Sequence, residues 1–566
     1  MSTPWNNLGL EVLCMAHYGK VTPQIVKRFE EVLGSEKVSD NPAVAVTYRG
    51  GGQHGPLHYP FESDLPKIVC LPESVEDVVN IFKLANEYRL TVVPVRADIS
   101  HMWSPALYGI LEHPDIVVDL TFMNKILEIN TEEGYAVIEG GITFDKLQPE
   151  LAKHGFWCTC GSYPPVASVV ARYIFFPQNW GVYERRPILS AEVVTPTGRV
   201  IRTGANPQIS WLPNAAIASV DSLDLFLDPA CPGIITKAAI VIHPFDEKQG
   251  IVWAGFPSFA RAWDYLVYCA RRYLIDGGMI WHWKRMVDSD FYATDMSKGF
   301  LKWYELQQIP AFEQPPPPYH YVYTWASFFG PSEVVDAKRA AVEKIVKRFG
   351  GVVISDDEFK ETLPHMYEEW TEAYKPRRAT YGYSRKQRVL TEDFFIVSGQ
   401  RDAVVNFERE VLRKAWEDYG INVGYYSGRP QGGGRVMCWI RWHIAIDRMD
   451  WEEMKYNIRV HHELWKWIIE RYYPSMSPPG NPFLLKTILD EANIKSPEWL
   501  CTEAKNLKSG SPKTYWEPHF VLRKEILNVL DPNRICNPFG QIAYDPDLAR
   551  LLIREGKITV LKEVFE

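Results

Sequence analysis

The chain has 566 residues, 46% of them hydrophobic and 23% charged, which provides for several packed cores and excludes an intrinsically disordered polypeptide. Lys and Arg total 62 against 70 Asp and Glu, a net charge of −8 with the signs interspersed, which excludes a surface built to hold nucleic acid or an anionic membrane. Nine cysteines, an odd number scattered along a long chain, lead us to expect reduced thiols in a cytoplasmic protein rather than a disulfide framework. Met1 to Leu10 lacks the basic-then-apolar pattern of a signal peptide, and no run of about 18 apolar residues stands anywhere in the chain.

In chain order, Val21 to Leu33 reads as a helix and Gly50 to Pro56 as a loop rich in Gly and His. Ile68 to Leu71 is a short strand. Ser74 then caps a helix, with Asp77 three residues later and Val75, Val78, Val79, Phe82 and Ala85 at helical spacing. Strands at Thr91 to Val95 and Ile116 to Leu120 complete a βαβ unit. Ala136 to Glu139 is predicted as a strand and Thr143 to Lys153 as a helix that stops at Gly155. Pro196-Thr197-Gly198 makes a hairpin between Glu192 to Thr195 and Arg199 to Arg202.

Beyond this alternating region, residues 250–300 read as helical and Trp-rich, and Pro315 to Pro318 as a polyproline spacer. Val334 to Phe349 is predicted as an amphipathic helix, Phe394 to Ser398 and Arg435 to Ile446 as strands, and Asp402 to Tyr419 as a helix between them. Phe520 to Leu530 is a last helix before the turn Asp531-Pro532-Asn533.

Four segments carry a family resemblance. They are Leu71 to Val78, Ile116 to Asn124 with Tyr135 to Phe144, Asp224 to Thr236, and Leu530 to Ile535 with Pro538-Phe539-Gly540. In this order, with a cap-sized region between, they resemble the vanillyl-alcohol oxidase and p-cresol methylhydroxylase family of flavoproteins. The resemblance implies an α+β fold with a two-lobed FAD-binding PCMH-type domain and a mixed sheet-and-helix cap. The expected organisation is an N-terminal extension (1–60), the FAD-binding domain (61–248), the cap (249–510) and a C-terminal segment returning to the FAD domain (511–566).

FAD is the cofactor that the resemblance implies, and it places two altered loops against it. Pro94 to Trp103 holds no glycine; Arg96, Ser100 and His101 are its expected contacts, and Asp98 brings an unfavourable charge to a diphosphate. Tyr163 to Arg172 also lacks the family's glycines and offers Ser168 and Arg172, while Ile235 belongs to the segment that closes the domain. Cys438 falls nearest the position where some members attach flavin covalently; it alternates with Ile440, Trp442 and Ile444 on an apolar face, which favours a buried core cysteine over a covalent anchor. Arg441 and His443 on the other face, with Tyr163 and Tyr183, are the expected catalytic residues. Trp103 stands where the family has a tyrosine. His54, His58, His461, His462 and the pair Cys158 and Cys160 lack companions at metal-binding spacing, so no metal is expected.

These observations lead to three functional readings. The first is an FAD-dependent oxidoreductase acting on para-substituted phenols or aromatic alcohols, with a small aromatic substrate and hydride passing to flavin. The second is a flavin-free subunit that serves a partner enzyme, and the third a lyase or hydratase using the same cavity. A homo-oligomer, or a hetero-oligomer with a related subunit, is expected throughout, with neither nucleic acid nor membrane as a partner.

Overall fold

The computed structural model describes residues 17–48, 65–95, 110–158, 167–175, 187–203, 226, 232–245, 247–287, 304–371, 389–395, 405–431 and 435–446, short pieces between 452 and 495, 522–542 and 545–565. The first lobe begins with helix α1 (Pro23–Leu33), capped by the Thr22 side chain, and strands β1 (Val38–Ser39), β2 (Ile68–Cys70), β3 (Val92–Val95) and β4 (Ile116–Asp119). These strands form a sheet in the order β1-β2-β4-β3, whose last three members run parallel. Helix α2 (Val75–Tyr88) is the crossover between β2 and β3.

Its start is the capping box expected from Ser74 and Asp77. The Ser74 hydroxyl accepts the Asp77 amide at 3.1 Å, and the Asp77 carboxylate accepts the amides of Ser74 and Glu73 at 3.2 and 3.0 Å. The small sheet is buried on both faces. Val92, Ile116 and Val118 pack against α1 and α2, while Val93, Val95 and Val117 join the larger core on the other side.

That larger core also takes in one face of a second, antiparallel sheet. Its strands are β5 (Ile126–Asn130), β6 (Tyr135–Glu139), β7 (Ile188–Val194), β8 (Val200–Thr203) and β9 (Ile234–Val241), in the order β8-β7-β9-β6-β5. The expected hairpin at Pro196-Thr197-Gly198 is the β7–β8 pair. After β6 the chain passes between the two sheets at Gly140-Gly141. A Cβ on Gly140 would lie 2.2 Å from the Ile235 carbonyl oxygen, and one on Gly141 would lie 1.8 Å from that of Leu120, so only glycine fits. Helix α3 (Phe144–Lys153) follows, and the left-handed Gly155 (φ 74°) ends it as predicted.

The second lobe is built on a seven-stranded antiparallel sheet. Its strands are β10 (Lys248–Phe256), β11 (Gly277–His282), β12 (Val322–Gly330), β13 (Val352–Ile354), β14 (Val389–Phe395), β15 (Gly424–Gln431) and β16 (Arg435–Ile446), ordered β13-β10-β12-β11-β15-β16-β14. The helical expectation for residues 250–300 is corrected here: β10 and β11 are strands, and only Phe259–Ala270 between them is a long helix (α5), with residues 288–300 outside the description. The described parts of both strands are buried on both faces, so the two-residue alternation that marks a strand is absent from them.

Helices α5 and α6 (Ser332–Arg348) cover one face of this sheet; Gly250 lies beneath Val335 of α6, and Gly278 beneath Leu266 of α5. The strand expected at Phe394 begins earlier, at Val389, and the predicted helix before Tyr419 contains a π-helical turn at Phe407–Leu412. The C-terminal segment returns to the first lobe, where Ile558–Val560 pairs with Ile110–Glu112. Among the described residues, Cys70, Cys158, Cys269 and Cys536 are buried thiols that form no disulfide, and no helix is long and apolar enough to cross a membrane.

Candidate functional site

On the first lobe, the described part of the site is organised around Gly140. The Ser168 hydroxyl donates to the Gly140 carbonyl at 3.0 Å and accepts the Ala171 amide at 3.3 Å. Backbone bonds from Val169 to Ile142 and from Phe144 to Ala167 clip this segment to the end of β6. Helix α4 (Val169–Phe175) starts there and carries Arg172, which is 1% exposed. Ile235, buried on β9, has its carbonyl against Gly140, and β9 bulges at the next residue, Thr236, whose carbonyl accepts the Gly140 amide.

Behind the bulge, Glu192 is held between Lys237 at 2.9 Å and Arg202 at 3.1 Å and accepts the Thr236 hydroxyl. Burial alone would raise its carboxyl, and the bonds from Lys237, Arg202 and Thr236 lower it below the usual range. The fold thus brings Ser168, Gly140 and Ile235 together, with Arg172 one turn further along α4. Arg96, Asp98, Ser100, His101, Trp103, Tyr163 and Tyr183 lie outside the described residues.

Arg172 is withdrawn from water on α4, one turn from Ser168, so this half of the site holds a buried cation. Of the cofactor-contacting residues expected from the resemblance, Ser168, Arg172 and Ile235 fall among the described residues on this lobe.

On the cap, β16 carries Cys438, Arg441 and His443. His443 sits between Gly424 of β15 and Glu392 of β14, and Arg441 sits between Tyr426 and Phe394. Tyr426 is opposite Trp281 of β11, which is opposite Tyr323 of β12, so one cross-strand row reads Tyr323, Trp281, Tyr426, Arg441, Phe394. Gly278, three residues earlier on β11, faces α5, which places Trp281 on the face away from that helix. Cys438 falls beside the stretch where β15 and β16 shift register, between Ser427 and Arg429.

Glu392, Trp281, Tyr323 and Tyr426 were not among the site residues expected from sequence. The register that aligns them joins strand positions up to 145 residues apart, as between Trp281 and Tyr426, and local patterns carry no trace of it. Trp157 of the first lobe reaches the cap, with its ring 5.9 Å from Phe329 of β12 and its indole N–H donating to Pro244. Next to the row, His282 is fully buried; burial pushes its imidazole down to about 3, a bond with the Ala311 backbone opposes this, and Lys284 adds to it.

Residues 66–204 match the family model described as FAD binding domain. Among curated proteins the chain is similar to the probable mitochondrial D-lactate dehydrogenase of Danio rerio, 26% identical over 254 residues (43% of this chain, 47% of the relative). It is also similar to the mitochondrial D-lactate dehydrogenase [cytochrome] 1 of Saccharomyces cerevisiae, 22% identical over 247 residues (42% and 40%). A third relative is the alkyldihydroxyacetonephosphate synthase of Trypanosoma brucei brucei, 26% identical over 220 residues (37% and 33%). The chain therefore spans about half or less of the length of these curated relatives.

Two solved structures share the fold over nearly their whole length. The 4-ethylphenol oxidase from Gulosibacter chungangensis has a TM-score of 0.66 at 16% identity, covering 92% of this chain and 97% of that one. Substrate-bound p-cresol methylhydroxylase has a TM-score of 0.66 at 17% identity, covering 91% and 96%. The expected fold relationship is thereby supported and widened, because the sequence relatives carry other names, D-lactate dehydrogenases and an alkyldihydroxyacetonephosphate synthase. The chain has the two-lobed α+β PCMH-type fold, residues 66–204 are its FAD binding domain, and its cofactor is FAD.

Proposed function

We propose that this protein is an FAD-dependent oxidoreductase that takes hydride from a small aromatic alcohol or para-substituted phenol. The observation that carries the reading is the cap row of aromatic residues in which Arg441 stands between Tyr426 and Phe394, two residues along β16 from the row that holds His443 and Glu392. A flat ring is received by aromatic surfaces, and a guanidinium within the row favours the phenolate, whose charge assists departure of hydride from the benzylic carbon. FAD, when bound, supplies the hydride acceptor.

His443, with Glu392 as its cross-strand neighbour, takes the proton released from the substrate hydroxyl on its imidazole. Tyr163 and Tyr183 hold the substrate oxygen by hydrogen bonding. Arg96, Ser100, His101, Ser168, Arg172 and Ile235 hold the cofactor, and Cys438 is the position to test for a covalent link. The similarity of the whole chain, cap included, to a 4-ethylphenol oxidase and to p-cresol methylhydroxylase supports the substrate class. The similarity to D-lactate dehydrogenases favours a second reading, in which the Arg441 guanidinium receives the carboxylate of a 2-hydroxy acid.

Anaerobic mixing of the yellow holoprotein with a 4-alkylphenol, a benzylic alcohol and a D-2-hydroxy acid separates the two. Bleaching of the oxidised flavin by the first pair is expected, with Arg441→Met raising KM more than it lowers kcat. Bleaching by the hydroxy acid alone would replace the aromatic substrate. A protein that stays colourless with FAD would overturn the oxidoreductase reading in favour of the subunit or lyase.

A further inference from the structure

The seven-stranded sheet of the cap ends on one side at β13, and among the described residues no strand pairs with its outer edge. An open edge offers backbone amides and carbonyls to another chain, and proteins ordinarily blunt it with charge or proline. The other edges of the five- and seven-stranded sheets follow this rule: β5 carries Glu128, β8 Arg202, and β14 Glu392 and Asp393. β13 does not. It reads Val352-Val353-Ile354, is β-branched throughout, and leaves Val352 55% exposed.

Charges of opposite sign stand at the two ends of this strand. Before it, α6 closes with Lys347 and Arg348, and Arg261 of α5 donates to the Phe349 carbonyl at 3.3 Å, with its guanidinium beside Gly350. The Arg348 guanidinium is held 5.2 Å from the Tyr268 ring and donates to its hydroxyl at 3.3 Å. After the strand, the Ser355 hydroxyl caps helix α7 (Asp356–Thr362), where Asp356 accepts the Trp253 indole N–H at 2.7 Å. Lys360, the one base of α7, lies over the Tyr367 ring. Arg261, Lys347, Arg348, Asp357, Glu358 and Glu361 are all exposed, and none of them is ion-paired among the described residues.

We infer that β13 is the contact between two copies of this chain, paired antiparallel to itself across a two-fold axis near Val353. A two-fold sets the basic end of each copy against the acidic end of the other, so every attraction is made twice. Parallel pairing would set Arg348 against Arg348, and like charges disfavour it. The edge carries both signs in the order that its own copy complements, which selects a second copy over an acidic or a basic partner. The two cap sheets then continue into one, and the open edge is closed. The inference is independent of cofactor and substrate.

Sedimentation equilibrium of the full chain over a range of concentration and salt is the test. The parent is expected to reach the mass of two chains and to dissociate more readily as salt rises, because exposed charges are screened. Val352→Lys puts a charge on the edge at a side chain already in water, and is expected to raise the dimer dissociation constant by about tenfold or more. Arg348→Glu and Glu358→Lys are each expected to weaken the dimer, and their combination to recover much of the loss, which a change in folding alone would not do. A parent that stays monomeric throughout overturns the inference, as does an oligomer whose mass Val352→Lys leaves unchanged. A dimer that Val352→Lys weakens but that neither salt nor the single charge reversals affect overturns the antiparallel pairing.

Discussion

His282 shows how much one buried side chain is set by its surroundings. It lies on β11 with the Tyr321 ring at 5.0 Å and the Trp283 ring at 6.0 Å, and burial holds it neutral with a pKa of about 3. An unfolded histidine titrates near about 6.5. Between these values the unfolded chain binds a proton that the folded chain refuses, so stability falls as pH drops below about 6.5, with a slope of up to about 1.4 kcal/mol per pH unit. Replacing His282 by Phe is expected to flatten this contribution, read as a smaller loss of denaturant midpoint between about pH 7 and about pH 5. Nothing in the sequence around His282 distinguishes it from a surface histidine. Its burial comes from Tyr321, just before β12, and from the backbone at Ala311.

Among elements, α2 was the most legible, because its start signal is local. Ser74, Asp77 and the apolar spacing lie within four turns of one another, and the structure reproduces the capping box atom for atom. Asp77 also meets Lys37 at 3.1 Å. Burial works to raise the Asp77 carboxyl, but the bonds from Glu73, Lys37 and Ser74 outweigh it and leave the group below its usual value. The contribution is therefore complete above the ordinary carboxylate range and is lost as pH falls through the lowered value. Asp77→Ala is expected to cost about 1 to 2 kcal/mol in urea unfolding near neutral pH. The difference from the parent should shrink in acid. β10 and β11 illustrate the opposite case, since strands buried on both faces lose the alternation that identifies a strand, and their Trp and aliphatic content reads as helix or strand alike.

For the whole molecule, cofactor and fold are thermodynamically linked. A ligand that binds only the folded chain adds about 2.7 kcal/mol at a hundred times its dissociation constant, so stripping FAD is expected to lower Tm and adding it back to restore Tm in a concentration-dependent way. A Tm indifferent to FAD, measured by calorimetry, would contradict cofactor binding by this chain. The α+β class and the order of the first-lobe elements follow from sequence, because helix caps, turns and strand alternation are set by neighbours a few residues apart, while the FAD binding domain was legible only through the resemblance of four segments to a known family. The tertiary structure alone decided which residues share a site. Ser168 and Ile235 meet only because the chain crosses at Gly140, Arg441 joins Tyr426, Trp281 and Tyr323 only through strand register, and Lys557 reaches Asp115 across 442 residues. Register and long-range ion pairs are settled by the packing of the whole chain, and no local stretch of sequence contains the energy that selects them.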